Sequence, residues 1–214
     1  MKGIIALDCD GVLLDTHSAF AQLYTKTFGK ELAIVSPKSY SAKKLYGVEF
    51  TPEEHNQFKT AHEAEGWRMM PPLDGALEAC LMLHNAGYEL VCVTAMPGRF
   101  LNDRLENFRL HGFPIDKVIS TGYDPIDPTN NPKKQTIEAL KPVVFVDDLR
   151  RNLKDIEGEH TKLVFIDHGC HDEPYHNGDV HYDAKYPTLL EFSIDFLAED
   201  NRIVWIQRPA ISTG

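Results

Sequence analysis

The sequence predicts an α/β fold: a Rossmann-like, doubly wound parallel sheet between helices, in three layers, with a small α-helical cap inserted after the first strand. Two patterns carry this prediction. Short apolar runs rich in Val and Ile recur along the chain, as strands covered on both faces require. Between them, apolar residues repeat with the 3.6-residue period of helices. This alternation is typical of doubly wound domains, which bind ligands at the carboxyl ends of their strands.

The composition is that of a globular chain with one substantial core. Of the 214 residues, 43% are hydrophobic and 25% are charged, which excludes disordered and collagen-like classes. The formal net charge is −10, so we expect no nucleic-acid polymer as a partner, because most of the surface repels a phosphate backbone. A small phosphorylated substrate is compatible with this charge, since local donors or a cation reverse the field within one pocket.

Five strands and the helices between them follow in order along the chain. The helical spacing of Leu101, Leu105 and Phe108 predicts one helix, and Gly87 and Gly112 follow helices as C-terminal stops. The strands are predicted at residues 3–7, 90–93, 117–119, 143–146 and 163–166.

The connection after the first strand is too long for a single helix. A parallel crossover with one helix usually takes about 20 to 30 residues, and residues 95–116 and 121–142 fit this length. Residues 11–89 exceed it by roughly 50 residues. We therefore assign residues 16–71 to a helical cap, and the core to residues 1–15 and 72–199.

The predicted cap contains two helices. Apolar and aromatic residues at helical spacing over 20–28 predict the first. A Thr-Pro-Glu-Glu start at residues 51–54 predicts the second, which runs to about Glu65. Pro71 and Pro72 end the insertion, because proline cannot continue a helix and constrains the residue before it.

The two ends of the chain carry no motif of their own. The N-terminal apolar run stops at Asp8 and is too short for a signal peptide or a membrane span, and the four cysteines lack CxxC spacing. We therefore expect a cytoplasmic protein with no membrane partner. For the oligomeric state we expect a monomer or a homodimer. Residues 200–214 extend past the expected last helix. We expect this C-terminal extension either to add an edge strand or to contact a second subunit.

Acidic and hydroxyl side chains follow three of the predicted strands. Asp8 and Asp10 follow the first strand, Thr94 the second, and Asp147 and Asp148 the fourth. Since the carboxyl ends of parallel strands meet at one edge of the sheet, we expect these groups to converge on one crevice. Four carboxylates there repel one another, and a hard divalent cation relieves that repulsion. The sequence therefore predicts a Mg²⁺ site that phosphate oxygens complete.

Taken in order, these motifs resemble those of the haloacid dehalogenase-like superfamily of phosphohydrolases over nearly the whole chain. The first family motif, DxDGV, matches residues 8–12, and the predicted cap lies where this superfamily carries one. The other three motifs are a Thr or Ser after a strand, a Lys ahead of the fourth strand, and two acidic residues at the end of that strand. They match Thr94, Lys133 or Lys134, and Asp147-Asp148.

The resemblance implies phosphoryl transfer through an aspartyl phosphate. Asp8 is then the nucleophile and Asp10 the general acid and base. Dehalogenases lack an Asp at this second position, so dehalogenation is rejected. The resemblance also implies Mg²⁺ held by the Asp8 carboxylate, the Asp10 carbonyl, and Asp148 or Asp147, with Asp148 favoured as the direct ligand.

The remaining family positions imply contacts with the phosphoryl group. The Thr94 hydroxyl and nearby backbone amides such as that of Ala95 are expected to hold phosphoryl oxygens. One lysine neutralises the nucleophile and the phosphate as a compact point charge. Adjacent side chains cannot both enter the crevice, so Lys133 is slightly favoured and Lys134 stays the alternative.

After the Thr-Pro-Glu-Glu helix, Gly66-Trp67 leads into Pro71-Pro72-Leu73-Asp74-Gly75-Ala76, which matches the PP-x-x-GA pattern of the family. With these features the cap resembles that of the deoxyribonucleotidase branch, which implies nucleotide 5′-monophosphates as substrates, with sugar phosphates or other small phosphoesters as the alternative. Trp67 either stacks on a nucleobase or packs the cap helices together. Arg99 either touches substrate or is a surface arginine. The histidines of residues 168–181 lack zinc-ligand spacing and predict a polar surface loop.

A non-catalytic module that binds Mg²⁺ and phosphate is the alternative from another class. Loss of Asp8, Asp10 or the lysine would support it, and all are present. A phospho-acceptor signalling domain is rejected, because it carries its paired acids after the first strand, whereas here the pair is at residues 147–148.

Overall fold

The computed structural model describes residues 1–122, 130–158, 160–172 and 180–206, and of residues 201–206 only the backbone. Six strands form one parallel sheet with the order β3-β2-β1-β4-β5-β6. Their bounds are β1 Gly3–Leu7, β2 Tyr88–Thr94, β3 Lys117–Ser120, β4 Val144–Asp147, β5 Lys162–Ile166 and β6 Ala184–Tyr186. The predicted α/β doubly wound fold is confirmed.

Each face of the sheet has its own hydrophobic core, which makes the architecture three-layered. Along β1, Ile5 and Leu7 belong to one core and Ala6 to the other, because successive strand residues point to opposite faces. Phe108 and Phe192 cover the first face, and residues such as Ile137 and Leu153 cover the second. Both faces are buried, which is why the strands are continuous apolar runs.

Eight helices accompany the sheet within the described residues. Four of them lie between β1 and β2, and three of these four, with a π-helical turn at His62–Gly66, lie within residues 16–71, where the sequence predicts the insertion. The bounds are α1 Thr16–Phe28, α2 Ala42–Leu45, α3 Pro52–Ala61, α4 Ala76–Asn85, α5 Leu101–His111, α6 Lys134–Leu140, α7 Arg150–Leu153 and α8 Leu189–Ile206.

Local signals account for the start of both long helices of the insertion. The Asp15 carboxylate accepts a hydrogen bond from the Ser18 N–H at the start of α1. Thr51 and Glu54 form a capping box at the start of α3, with Pro at its first position. The Asp15 N–H donates to the Pro71 carbonyl at 2.8 Å, so the two ends of the insertion leave the core side by side.

The C-terminal part departs from the sequence analysis in two respects. β6 was not predicted, because Ala184–Tyr186 is a three-residue strand with an exposed lysine at its centre and no apolar run. The chain from residue 200 continues α8 to Ile206, so the option of an edge strand is wrong for residues 200–206. Residues 207–214 lie outside the described residues. No helix in the described ranges combines the length and apolarity that crossing a membrane requires.

Candidate active site

Three buried aspartates lie together at the carboxyl ends of β1 and β4. Asp8 follows β1, Asp147 ends β4 and Asp148 follows it, and one carboxylate oxygen of each lies within 4.8 Å of the others. β1 and β4 are neighbours in the sheet and pair in parallel, with Leu7 opposite Val146. The Asp8 N–H donates to the Val146 carbonyl at 2.9 Å. The order of strands therefore brings these carboxylates together at the position where the sheet order reverses.

Lys133 is the cation of this cluster. Its side chain is fully buried, and its Nζ donates to Asp8 and, at 2.7 Å, to Asp147 Oδ2. Asn131 places it by accepting the Lys133 N–H at 2.9 Å and the Lys134 N–H at 3.1 Å, which begins α6. The Asn131 amide in turn donates to the Asn152 carbonyl at 2.8 Å.

Asp147, the last residue of β4, and Asp148, which follows it, differ in their hydrogen bonding. Asp147 uses both oxygens within the protein: Oδ2 accepts from Lys133, and Oδ1 accepts from the Leu149 N–H at 2.9 Å and the Asn152 amide at 3.0 Å. Asp148 is equally buried, yet its Oδ1 has no hydrogen-bond partner. A buried carboxylate oxygen without a partner costs free energy. Of the two aspartates, Asp148 is therefore the one with an oxygen left to bind a cation.

Burial and mutual repulsion shift the titration of this cluster. Burial raises the pKa of Asp8 to about 7, although the Lys133 charge opposes the shift. Burial, together with the charges of Asp8 and Asp147, raises the pKa of Asp148 well above its usual range. Burial works to lower the pKa of Lys133, but the charges of Asp147 and Asp8 outweigh it and raise that pKa. The cluster therefore holds more negative charge than one lysine compensates.

Asp10 and Gly11 form the loop that follows β1. The Asp10 carboxylate is 34% exposed, and its Oδ1 accepts a hydrogen bond from Arg104 Nη2 at 2.9 Å. Gly11 has φ 92°, and a Cβ at this position would collide with the Asp148 carboxylate. Glycine is therefore required both for the backbone conformation and for the close approach of Asp148.

The structure brings some predicted site residues to this cluster and leaves others apart. Thr94 is buried at the end of β2, beside β1, and half-buried Ala95 follows it. Lys134 instead faces the surface, where its Nζ lies 3.6 Å from Glu138 and 3.5 Å from Glu157. Of the two lysines, only Lys133 contacts Asp8.

Arg99 and Trp67 make contacts between the insertion and the core rather than with the aspartates. Arg99 is exposed, pairs with Glu63 at 2.9 Å and lies over the Phe100 ring. Trp67 is half-buried and stacks on Phe100 with ring centroids 5.2 Å apart. It packs against the sheet core, and its indole nitrogen is buried without a partner.

Two cavities meet at Asp10. One, of about 610 Å³, lies between the acidic cluster and the loop of residues 37–41, and its lining includes Asp148, Tyr40 and His168. The other, of about 390 Å³, lies within the insertion and is lined mainly by apolar and aromatic side chains. Its rings belong to Phe20, Phe50, His55, Phe58, His62 and Trp67.

The histidine-containing loop after β5 contacts the insertion and the first motif. His168 Nε2 lies 2.7 Å from the Gly11 carbonyl. Asp172 accepts the Tyr40 N–H at 2.6 Å and pairs with Lys44 at 3.1 Å. Over the described ranges, the three aspartates are the one group with metal-ligand geometry. His176 lies outside the described residues.

Sequence reasoning missed several residues that shape this site, namely Tyr40, Asn131, Asn152, His168 and Arg104. A usable signal existed for Arg104, because it lies three residues after Leu101 and four before Phe108, on the apolar face of α5. Tyr40, which belongs to the insertion, lines the same cavity as Asp10 and Asp148, and burial together with the charges of the aspartates raises the pKa of its hydroxyl.

Comparison with known proteins identifies one family. The model of the haloacid dehalogenase-like hydrolases matches residues 3–154. No curated protein sequence matches the chain significantly. Similar solved structures include a haloacid dehalogenase family hydrolase from Deinococcus radiodurans with bound phosphate and sodium, at 15% identity and TM-score 0.59, covering 92% of this chain and 96% of that one.

Two further solved structures have the same fold. A haloacid dehalogenase-like hydrolase from Streptococcus pneumoniae has 17% identity and TM-score 0.59, and the alignment covers 91% of this chain and 98% of that one. A dehalogenase has 18% identity and TM-score 0.55, covering 88% of this chain and 94% of the other. At such low identities these likenesses show the fold alone.

Proposed function

The chain belongs to the haloacid dehalogenase-like hydrolases, and we propose that it is a Mg²⁺-dependent phosphomonoesterase that forms a covalent aspartyl phosphate on Asp8. One observation carries the proposal. Asp8 lies beside Lys133 and Asp148, whose Oδ1 is buried without a partner, and a second carboxylate, Asp10, lines the adjoining cavities. This set supplies a nucleophile, a charge-neutralising group and a proton carrier in one place.

The aspartates suit a hard divalent cation. The Asp148 Oδ1 is buried without a partner, the three carboxylates face one another, and oxygen ligands are those that Mg²⁺ prefers. Asp8 and Asp148, with the Asp10 carbonyl, would hold the ion, whereas Asp147 is occupied by Lys133, Leu149 and Asn152. When bound, Mg²⁺ neutralises charge on the phosphoryl oxygens during transfer.

The residues of the chain then divide the reaction into two steps. Asp8 attacks phosphorus in line, forming an acyl-phosphate O–P bond as the bond from phosphorus to the ester oxygen breaks. Asp10 gives its proton to that leaving oxygen. In the second step it removes a proton from the water that attacks the phosphorus, which breaks the Asp8 O–P bond, releases inorganic phosphate and restores the Asp8 carboxylate. Lys133 holds Asp8 in place and balances the negative charge of the phosphoryl group.

Dehalogenation is the competing activity, because dehalogenases are among the proteins that share this fold. Displacement of a halide leaves an ion that needs no proton, so a carboxylic acid beside the nucleophile has no proton to give in that step. Asp10 is present and partly open to both cavities. This favours an ester oxygen, which does need a proton, as the leaving atom.

The aromatic cavity favours a leaving group with a flat ring, as in the nucleotide 5′-monophosphates, over a bare sugar. It begins at Asp10, where the leaving group departs, and most of its lining is apolar. Aromatic rings such as those of Phe20 and Phe58, whose centroids are 4.9 Å apart, gain more from stacking on a ring than from contact with hydroxyls.

Phosphate release from a panel of nucleotides, sugar phosphates and other phosphomonoesters tests the proposed function. Each compound is assayed with Mg²⁺ and with a chelator, and 2-haloacids are assayed in parallel for halide release. We expect phosphate release with Mg²⁺ only. Release of halide without release of phosphate would overturn the proposal, and so would phosphate release that a chelator leaves unchanged.

Phe58→Leu is expected to lower the preference for nucleotides. The substitution removes a ring from the aromatic cavity but keeps an apolar side chain, so kcat/KM for nucleoside monophosphates should fall about 2- to 12-fold, which corresponds to the 0.5–1.5 kcal/mol of an aromatic pair. The same constant for glycerol phosphate should stay unchanged. Equal loss on both substrates would show that the cavity does not contact the base.

Mg²⁺ without substrate is expected to raise the melting temperature of the wild-type protein. Each tenfold increase of the Mg²⁺ concentration above Kd adds about 1.4 kcal/mol to the free energy of unfolding. For a chain of this size this raises the melting temperature by roughly 3–5 °C. Asp148→Asn should lose most of this shift, whereas the same change at exposed Asp116 should keep it. A full shift in Asp148→Asn would exclude Asp148 as a ligand.

A further inference from the structure

Arg104 is a fully buried arginine on α5 to which the proposed reaction gives no role. Its Nη2 donates to Asp10 Oδ1 at 2.9 Å, its Nη1 donates to Met70 Sδ at 3.3 Å, and its guanidinium lies 5.4 Å from the centre of the Trp67 ring. We propose that Arg104 is a positioning residue for Asp10: it holds one carboxylate oxygen so that the other meets the leaving group. This inference rests on the proposed function.

The helix that carries Arg104 is fixed in place by hydrogen bonds of its own. One turn further along α5, the Asn107 amide donates to the Arg68 carbonyl at 2.7 Å and to the Met70 carbonyl at 3.0 Å. His111 Nε2 lies 3.0 Å from the same Met70 carbonyl. α5 is therefore bound to the segment that returns from the insertion to the core, and Arg104 extends from this fixed base.

Stability alone accounts poorly for a charge at this position. The other partner of the ion pair, Asp10, is 34% exposed, so the pair gains less than a fully buried one while Arg104 still loses its hydration. Arg104 Nε has no partner, which adds to that loss. A methionine or leucine would pack against Met70 and Trp67 without either penalty.

The geometry assigns different tasks to the two Asp10 oxygens. Oδ1 is occupied by Arg104, so Oδ2 is the oxygen available at the junction of the two cavities. The guanidinium is planar and permanently charged, and its second donor is held on Met70 Sδ, so it fixes the position of Oδ1. Proton transfer needs a carboxylate within about 2.6–3.2 Å of the leaving oxygen, and a misplacement of about 1 Å can cost about 10²-fold in rate.

Arg104→Met tests this assignment through two esters that differ in their need for a proton. The leaving group of adenosine 5′-monophosphate is the adenosine alkoxide, which must be protonated. The leaving group of 2,4-dinitrophenyl phosphate is a phenolate that is stable without a proton. Single-turnover release of the leaving group, with enzyme in excess, reports the first step alone. We expect a loss of about 10²-fold on the first ester and a loss below about threefold on the second.

Two further variants separate positioning from general damage. Arg109→Met makes the same change at an exposed position of α5 and should leave both rates unchanged. In the Asp10→Asn background, Arg104→Met should cause no further loss on adenosine 5′-monophosphate, because a positioning residue acts only through the group it positions. If Arg104→Met does not fold, Arg104→Lys replaces it, with the same preferential loss on adenosine 5′-monophosphate.

Equal losses on the two esters, no loss on either, or additive losses in the Asp10→Asn background would overturn the inference. These results differ from a failure of the proposed function itself. In that case the wild-type protein would release neither leaving group with Mg²⁺ present.

Discussion

Asp8→Asn is expected to abolish phosphate release, with a loss on the order of 10⁴-fold or more, as for other enzymes that lose a covalent nucleophile. Asparagine keeps the shape of the side chain and can still accept from Lys133, but its amide does not attack phosphorus. The measurement is the initial rate of phosphate release with Mg²⁺, together with labelled phosphate retained on the protein after a quench. The wild type should retain label and the variant none.

Asp116→Asn is the matched control, because it makes the same change at an exposed aspartate on the opposite side of β2 from β1. It should retain full activity. If Asp8→Asn keeps its rate to within tenfold, a direct attack of water would replace the covalent route in the proposed mechanism.

Lys133→Met is expected to reduce both stability and activity, and Lys134→Met neither. Lys133 is the only cation in contact with Asp8 and Asp147 among the described residues, and all three side chains are buried. Its removal leaves uncompensated buried charge, which typically lowers the free energy of unfolding by about 3–5 kcal/mol. Lys134 interacts with glutamates at the surface, where ion pairs contribute little.

Urea unfolding in the absence of divalent cations measures the first effect, and phosphate release with Mg²⁺ measures the second. A lower unfolding midpoint at unchanged slope would report a loss of stability. Lys133→Met should also gain more stability from Mg²⁺ than the wild type does, because the ion replaces part of the missing positive charge. Inactivation by Lys134→Met with intact Lys133 would reverse the assignment of the two lysines.

The strand ends were predictable because they depend on short-range patterns. The apolar runs before Asp8, Thr94 and Asp147 mark strands, and the parallel arrangement brings the carboxyl ends of β1, β2 and β4 to one edge of the sheet. The surplus length between β1 and β2 likewise predicted the inserted helices. β6 escaped prediction, because three residues without an apolar run carry no periodicity.

The choice between neighbouring residues needed the tertiary structure. Lys133 and Lys134 are equivalent in the sequence, but Asn131 begins α6 at a position that directs Lys133 towards Asp8. Asp147 and Asp148 are likewise adjacent, and the partners that occupy Asp147, Asn152 among them, leave Asp148 with the free oxygen.

The sequence by itself therefore determined the fold class, the edge of the sheet at which the acidic groups meet and the family of the chain. Periodicity and local motifs encode these features within a few residues. Only the tertiary structure decided which lysine contacts Asp8, which aspartate lacks a partner and that Arg104 binds Asp10. The two contacts of Lys133 with Asp8 and of Arg104 with Asp10 join distant segments, 125 and 94 positions apart. The difference between the aspartates depends on how the turn after β4 directs Leu149 and Asn152 to Asp147.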